Sequence, residues 1–454
     1  MSDILFQYEK VNPTSWAYLS SLLTIALFFK FNRVLSVRNF DLLLLILLAP
    51  GLLLVQYGME NGGGEPTASS AQRWGFTWLF VVGMVWMVRL LCDPGMLRRP
   101  LLPPNLNVGG LNFLGSALLF FLATNVVTGP VSEDVKTVAQ SAETLQSDDV
   151  DGEPQGSFEL KGPGYFWLHL LPRVSTQKLI AGGSAGAPDG PLEEDQQRRR
   201  VRDATVRVMA IASQVAIVVG LVTMGIKHFD NPAAGVSSAV LYLLLPYTAL
   251  WTGSVQHALP AALLVWAVVL YRVPWLSGMM LGLACGTIYY PAFLLPLWCS
   301  FYWDRGLKRF LGGVIGTIGA LVATLAITAG SPERFLEGVR QMFGIRLPTG
   351  APVQGIWQYW QTAYRLPILA LFLVLAFSFA AWPARKNLGT LISCTAALML
   401  GSQFWHANEG GLYIAWYLPL TLLTIHRPNL EDRRAVVVVS EGYLQRRQRA
   451  KAST

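Results

Sequence analysis

Apolar runs of about 15 to 25 residues recur along this 454-residue chain, and no other feature so narrows what it can fold into. A water-soluble core does not repeat such runs, whereas a chain that crosses hydrocarbon many times must. Inside a bilayer the backbone has to satisfy its own hydrogen bonds, and runs this long and continuous exceed the strands of a membrane barrel. The expected fold class is therefore an all-α polytopic membrane protein with about 11 to 13 transmembrane helices.

The runs lie near residues 15 to 30, 39 to 57, 74 to 91, 109 to 128, 205 to 225, 235 to 250, 258 to 271, 275 to 288, 291 to 302, 310 to 329, 366 to 382, 388 to 404 and 411 to 426. Tyr289-Tyr290-Pro291 predicts a break between the eighth and ninth, because proline disfavours helix in the residue before it. The first run lacks the basic start and small-residue cleavage site of a removable signal, so it is expected to persist as a helix. The chain is 53% hydrophobic and 14% charged, with a net charge of +8. That excess is not a nucleic-acid signature, since Lys and Arg collect in connectors between runs and in the tail from Arg427 to Lys451. Cys92, Cys285, Cys299 and Cys394 sit in or beside apolar runs without paired spacing, which argues for neither disulfides nor a metal knuckle.

The basic connectors carry Lys30, Arg33 and Arg38, then Arg89, Arg98 and Arg99, then Arg305, Lys308 and Arg309, then Arg385 and Lys386. The positive-inside bias assigns them, with the C-terminal tail, to the cytoplasm. Counting alternately then puts residues 129 to 204, Thr252 to His257, Tyr289-Tyr290, the segment 330 to 365 and Trp405 to Gly411 on the outer face. The outer segment 330 to 365 runs against the bias, with Arg334, Arg340, Arg346 and Arg365. Those arginines either pair with Glu333 and Glu337 on a surface helix or bind an anionic substrate.

The long outer tract opens with Glu133-Asp134, a few residues after the helix 109 to 128 leaves the bilayer. Limited water there would raise a carboxylate pKa and suit it to act as a general base. The plainer alternative is a helix-end acid or an N-cap. Further along, Gly162 to Pro172 is an aromatic stretch too short to span and is expected in the interface, while 178 to 195 reads as a linker. Other outer loops supply Gln256 and His257, then His406, Asn408 and Glu409, then Trp357, Tyr359, Trp360 and Tyr364. Each alone is ordinary, a solvated histidine or an interface anchor. Together, five outer loops would ring one site.

A chain of motifs then appears in order: Leu245-Pro246-Tyr247, Gly253-Ser254-Val255-Gln256-His257, the glycine-spaced Leu276 to Ala284, Tyr290-Pro291 and Leu295-Pro296. This series resembles the GT-C glycosyltransferase superfamily, in particular the bacterial polyprenyl-phosphate-sugar-dependent mannosyltransferases. The resemblance implies a GT-C-like module over 105 to 426, containing the outer loop 129 to 204, beside an added three-helix region over 1 to 104 and a basic cytoplasmic tail over 427 to 454. It implies that Glu133 or Asp134 holds the catalytic-base position. The candidate substrate contacts, drawn from the outer loops, are Gln256, His257, Tyr289, Tyr290, Arg340, Arg346, His406, Trp357 and Trp360.

The implied partners are a polyprenyl-phosphate-linked sugar donor and membrane lipids, with no nucleic acid, in the cytoplasmic membrane. The departing phosphate needs arginine, histidine or a divalent metal, and no other cofactor is implied. The family often has a lysine before the proline matching Pro291, where this chain has Tyr289-Tyr290, so Arg340, Arg346, Arg365 or Arg173 would take over the phosphate. Two readings of other classes stand beside this one. A transporter would place ionisable groups within the spans or show paired repeats, and the spans here hold almost no such groups. A non-catalytic scaffold would need only the helices and the tail.

Overall fold

A computed structural model describes residues 12–61, 66–96, 103–129, 191–328 and 353–440, together with parts of 331–339. The described residues form helices joined by turns, with a single isolated bridge between Gly355 and Gly410 and no strand. The helices are α1 (Pro13–Phe28), α2 (Val37–Ile46), α3 (Leu48–Asn61), α4 (Pro66–Cys92), α5 (Val108–Thr128), α6 (Pro191–Lys227), α7 (Pro232–Leu244) and α8 (Pro246–Trp251). They continue as α9 (Val255–Val269), α10 (Pro274–Thr287), α11 (Leu295–Tyr302), α12 (Leu307–Thr328), α13 (Arg365–Ala381), α14 (Leu388–Trp405) and α15 (Leu418–His426).

Local sequence sets these starts. Pro13, Pro232, Pro246 and Pro274 each occupy the first helical position, where a missing N–H costs nothing and the ring presets φ. Asn12, Asn107, Asn231 and Asn387 cap α1, α5, α7 and α14 with their side-chain oxygens on first-turn amides.

Among the described residues seven stretches are long and apolar enough to cross a membrane: Val37–Asn61, Ser69–Gly95, Val108–Thr128, Arg199–Lys227, Leu307–Ile327, Thr362–Ala381 and Leu388–Trp405. The protein is an all-α polytopic membrane protein. Leu388–Trp405 is wholly enclosed, whereas Val108–Thr128 keeps only 11% of its most apolar window buried and presents Phe113 and Phe120 outward. The shorter helices α7, α9 and α15 pack among these and are almost entirely buried. At 1.5 Å per residue, a helix of 13 residues is about 20 Å long, short of the roughly 30 Å of hydrocarbon. Burial inside the bundle resolves this, since a helix surrounded by protein need not match the lipid.

Two expected spans are redrawn. The run 235 to 250 breaks at Leu245, whose extended backbone precedes Pro246, into α7 and α8. The run 411 to 426 is helical only from Leu418; before it lie Gly411 at φ +101° and a single tight turn over Ile414–Trp416. The break expected at Tyr289-Tyr290 is present, between α10 and α11.

The connectors segregate to opposite ends of the bundle. At the basic end, Asn39 bonds the Lys30 backbone, Lys30 Nζ donates to Asn105, and Arg433 pairs with Asp230 at 2.7 Å. At the other end gather the connectors after α8, α10 and α14 and the segment leading into α13. Helices α10 and α12 approach unusually closely. A Cβ on Gly278 would strike the Phe310 carbonyl, and one on Gly313 the Trp275 carbonyl. The glycine-spaced segment thus has a packing role, as small residues let membrane helices touch backbone to backbone.

Candidate functional site

Proline and glycine breaks free the ends of α8, α10 and α14 to turn inward, and they meet in a column of five stacked rings. Trp251 lies on His257 at 4.6 Å and His257 on Tyr413 at 4.7 Å. Tyr413 lies on His406 at 5.0 Å and His406 on Tyr290 at 5.1 Å, with interplanar angles of 22° and 25°. Trp416 braces the side of the column against Tyr413 and Tyr290, and its Nε1 donates to the Gln256 carbonyl at 3.2 Å. The Tyr247 hydroxyl meets His257 Nδ1 at 2.6 Å. Tyr289 flanks Tyr290 at 4.1 Å and donates its hydroxyl to that of Tyr290 at 2.8 Å.

A fourth connector closes against this column. The Gln354 amide donates to the Ala407 carbonyl, the Glu409 amide donates back to Gln354, and Gly355 pairs with Gly410. Gly355 sits at φ +79° with Glu409 directly against its Cα, so a side chain there would meet both strain and backbone. This fold-back buries Trp357 and carries Arg365 to the column. Arg365 Nε donates to the Trp405 carbonyl at 3.2 Å, and its guanidinium lies within electrostatic range of Tyr289, Tyr290 and His406.

The cluster is rich in donors without acceptors. His406 Nδ1 accepts from the Asn408 amide at 3.0 Å, which places the ring proton of the neutral form on Nε2. Among the described residues His406 Nε2 has no partner, nor have Gln403 Nε2, Trp405 Nε1 and Trp357 Nε1. The Gly411 amide bonds Gln403 Oε1 and so fixes which end of that amide is the donor. Burial, with the Arg365 charge adding to it, pushes His406 down to about 3, so the ring is a neutral donor and not a cation. Burial raises Tyr289 to about 12. The positive charge available here is therefore that of Arg365.

Of the residues expected to bind substrate, His257, Tyr290 and His406 lie in the column and Tyr289 at its edge. Gln256 contributes its carbonyl to Trp416, and Trp357 is buried beneath the fold-back. Trp360 stands apart, half exposed and 5.9 Å from Phe80 of α4. Glu133, Asp134, Arg173, Arg340 and Arg346 lie outside the described residues, as does the aromatic stretch 162 to 172. Sequence reading missed Trp251, Gln403, Tyr413 and Trp416. Tyr413 and Trp416 were hidden because they had been counted inside a span; Gly410-Gly411 and Pro419 around them were the available signal.

Sequence reading also missed a set of charges at the basic end. Arg89 holds Asp41 through Nε at 2.7 Å and Nη2 at 2.9 Å, and reaches Asp93 at 3.1 Å; Asp93 in turn holds Arg427 at 2.6 Å. All four are buried, joining α2 and α4 to the end of α15. They pair with one another, unlike the donors around His406 that have no partner among the described residues. Among the described residues no three His, Cys, Asp or Glu side chains gather as metal ligands, so no set is assigned to a divalent ion. In comparison with known proteins, no family model, no curated protein and no solved structure matches this chain.

Proposed function

We propose that the chain is an integral-membrane glycosyltransferase that moves a sugar from a polyprenyl-phosphate donor to an acceptor hydroxyl. In this reading the aromatic end faces the extracytoplasmic side of the cytoplasmic membrane, and the basic end with the C-terminal tail faces the cytoplasm. The observation that carries the proposal is the ring column with Arg365 against it. Four connectors far apart in sequence converge on one buried aromatic, donor-rich cluster bearing a cation.

Such a cluster, with Tyr289 at its edge, suits a phosphosugar. The acceptor oxygen attacks the anomeric carbon, the bond from that carbon to the phosphate oxygen breaks, and the electron pair leaves with the phosphate. A carboxylate takes the acceptor proton, the role assigned to Glu133 or Asp134. Arg365 meets the growing phosphate charge through its Nη groups, which have no partner among the described residues. That places a guanidinium beside Tyr289-Tyr290, where the resembled family often has its lysine. His406 Nε2–H adds a neutral donor, and Tyr289 offers an aromatic rim for the sugar. The lipid chain is expected between the short helices near α9 and α10, where protein and not lipid surrounds the backbone.

The test uses membranes containing the full chain and a labelled polyprenyl-phosphate sugar. One of Glu133→Ala and Asp134→Ala should lose transfer by roughly a hundredfold or more, and Arg365→Gln by a similar factor. Undiminished transfer in both carboxylate variants removes the proposed base, and an unaffected Arg365→Gln removes the phosphate contact.

A further inference from the structure

The basic end holds a second group of donors with nothing to donate to. Arg38 lies in the first turn of α2 and is 9% exposed, and His426 closes α15 at 8%. Among the described residues, Arg38 Nε and Nη2 and His426 Nε2 are buried and have no hydrogen-bond partner. The Arg38 guanidinium is within electrostatic range of the His426 ring and of Lys30. Phe28 packs edge-on against His426 at 6.1 Å, and Asn39, next to Arg38, holds the Lys30 backbone through bonds of 3.0 and 2.9 Å.

The contrast with the other buried arginines of this end is informative. Arg89 and Arg427 are each satisfied by carboxylates, whereas Arg38 has none. A guanidinium withdrawn from water without a counter-ion is strongly unfavourable, so its retention points to an anion that the described residues do not supply there. His426 fits as the second donor. Its Nδ1 lies 3.1 Å from both the Ser238 hydroxyl and the Leu422 carbonyl, partners that suit either tautomer, so Nε2 can carry the proton.

We infer that Arg38 and His426 form a phosphate-binding site at the basic end, with the phosphate bidentate on Arg38 Nε and Nη2 and accepting a third bond from His426 Nε2. Lys30 supplies further positive charge at the mouth, its own Nζ held by Asn105 at 2.6 Å. The adjoining turn displays Phe31, Val34 and Leu35, the last fully exposed, and so carries apolar side chains where a bilayer surface would lie. Hydrocarbon contact there would bring phospholipid headgroups to the site, although a free phosphate ion shares the same chemistry. The site lies at the opposite end from Arg365 and His406 and does not depend on the sugar-transfer reading.

The experiment follows the unfolding temperature of the full chain in neutral detergent with three probes: phosphatidic acid, diacylglycerol with the same acyl chains, and inorganic phosphate. Phosphatidic acid should raise it, diacylglycerol should not, and Arg38→Leu should abolish the rise. A response to the lipid alone supports a headgroup site, and a response to inorganic phosphate as well supports one open to soluble phosphate. Equal stabilisation by diacylglycerol, an undiminished rise in Arg38→Leu, or no response to either phosphate probe overturns the proposal. Should Arg38→Leu fail to fold, His426→Gln replaces it, and its half-saturating concentration should increase by about tenfold or more.

Discussion

His406 shows how one ring is kept neutral by its surroundings. It is wholly buried between Tyr290 and Tyr413, near the Arg365 guanidinium, and its pKa falls to about 3. Above the ordinary histidine pKa near 6.5 neither folded nor unfolded chain holds the proton, and stability is fully present. As pH falls from there towards 3, the unfolded chain takes up a proton that the folded one refuses, and stability drops by roughly 1.4 kcal/mol per pH unit. His228, at the opposite end and lowered to about 4 by burial, adds to this in the same direction. His406→Phe should therefore flatten, without removing, the fall in unfolding temperature between pH 7 and pH 4. An acid profile as steep as that of the parent chain would count against a buried neutral ring. Histidine at position 406 was legible in the sequence as a candidate, but its neutrality was not. Burial on all sides comes from Tyr290, Tyr413 and Trp416, and none of these is near it in a helical repeat.

At the scale of the element, α10 and α12 provide the sharpest test. Gly278→Ala and Gly313→Ala each push a methyl group into a facing carbonyl and should destabilise the chain by roughly 1–3 kcal/mol, read from unfolding in detergent. Gly312→Ala, next to one of these but with nothing within 4 Å of the added Cβ, should cost nothing and serves as the control. Equal effects at positions 312 and 313 would mean that helix propensity, and not the close approach, decides. The break at Tyr290-Pro291 was readable because proline acts through local geometry alone, and the runs expected from 235 and 275 begin within three residues of the helix starts at Pro232 and Pro274, whereas the start at Pro246 lay hidden inside one apolar run. The glycine spacing was readable as a pattern. Its partner helix was not, because Phe310 and Trp275 meet these glycines only across an interface that no local rule specifies.

At the scale of the whole molecule, the Asp41–Arg89–Asp93–Arg427 network ties α2 and α4 to the end of α15. Removing one member strands a buried charge. Arg427→Leu or Asp93→Leu alone should cost roughly 3–5 kcal/mol. The double variant should lose clearly less than the sum of the two, and additive losses in a double-mutant cycle of chemical unfolding would show that the pair is uncoupled. The network also bears on the expectation that the spans hold almost no ionisable groups. Asp41, Arg89 and Asp93 do sit in apolar stretches, where with Arg427 they form two carboxylates paired with two guanidiniums.

The sequence by itself determined that this chain crosses a membrane many times as helices, where most of those helices begin, and which connectors share an end. These follow from hydrocarbon length, from backbone hydrogen-bonding and from proline, all of which act within a short stretch of chain. It also nominated His257, Tyr289, Tyr290 and His406 one loop at a time. Only the tertiary structure decided that Trp251, His257, Tyr413, His406 and Tyr290 stack in one column, and that, among the described residues, Arg365 is the arginine beside Tyr289-Tyr290 and Arg38 lacks a partner while Arg89 and Arg427 are paired. The physical reason is the same in each case. Stacking, ion pairing and desolvation depend on which distant side chains fill the few ångströms around a group, and in a bundle of buried helices that is settled by packing.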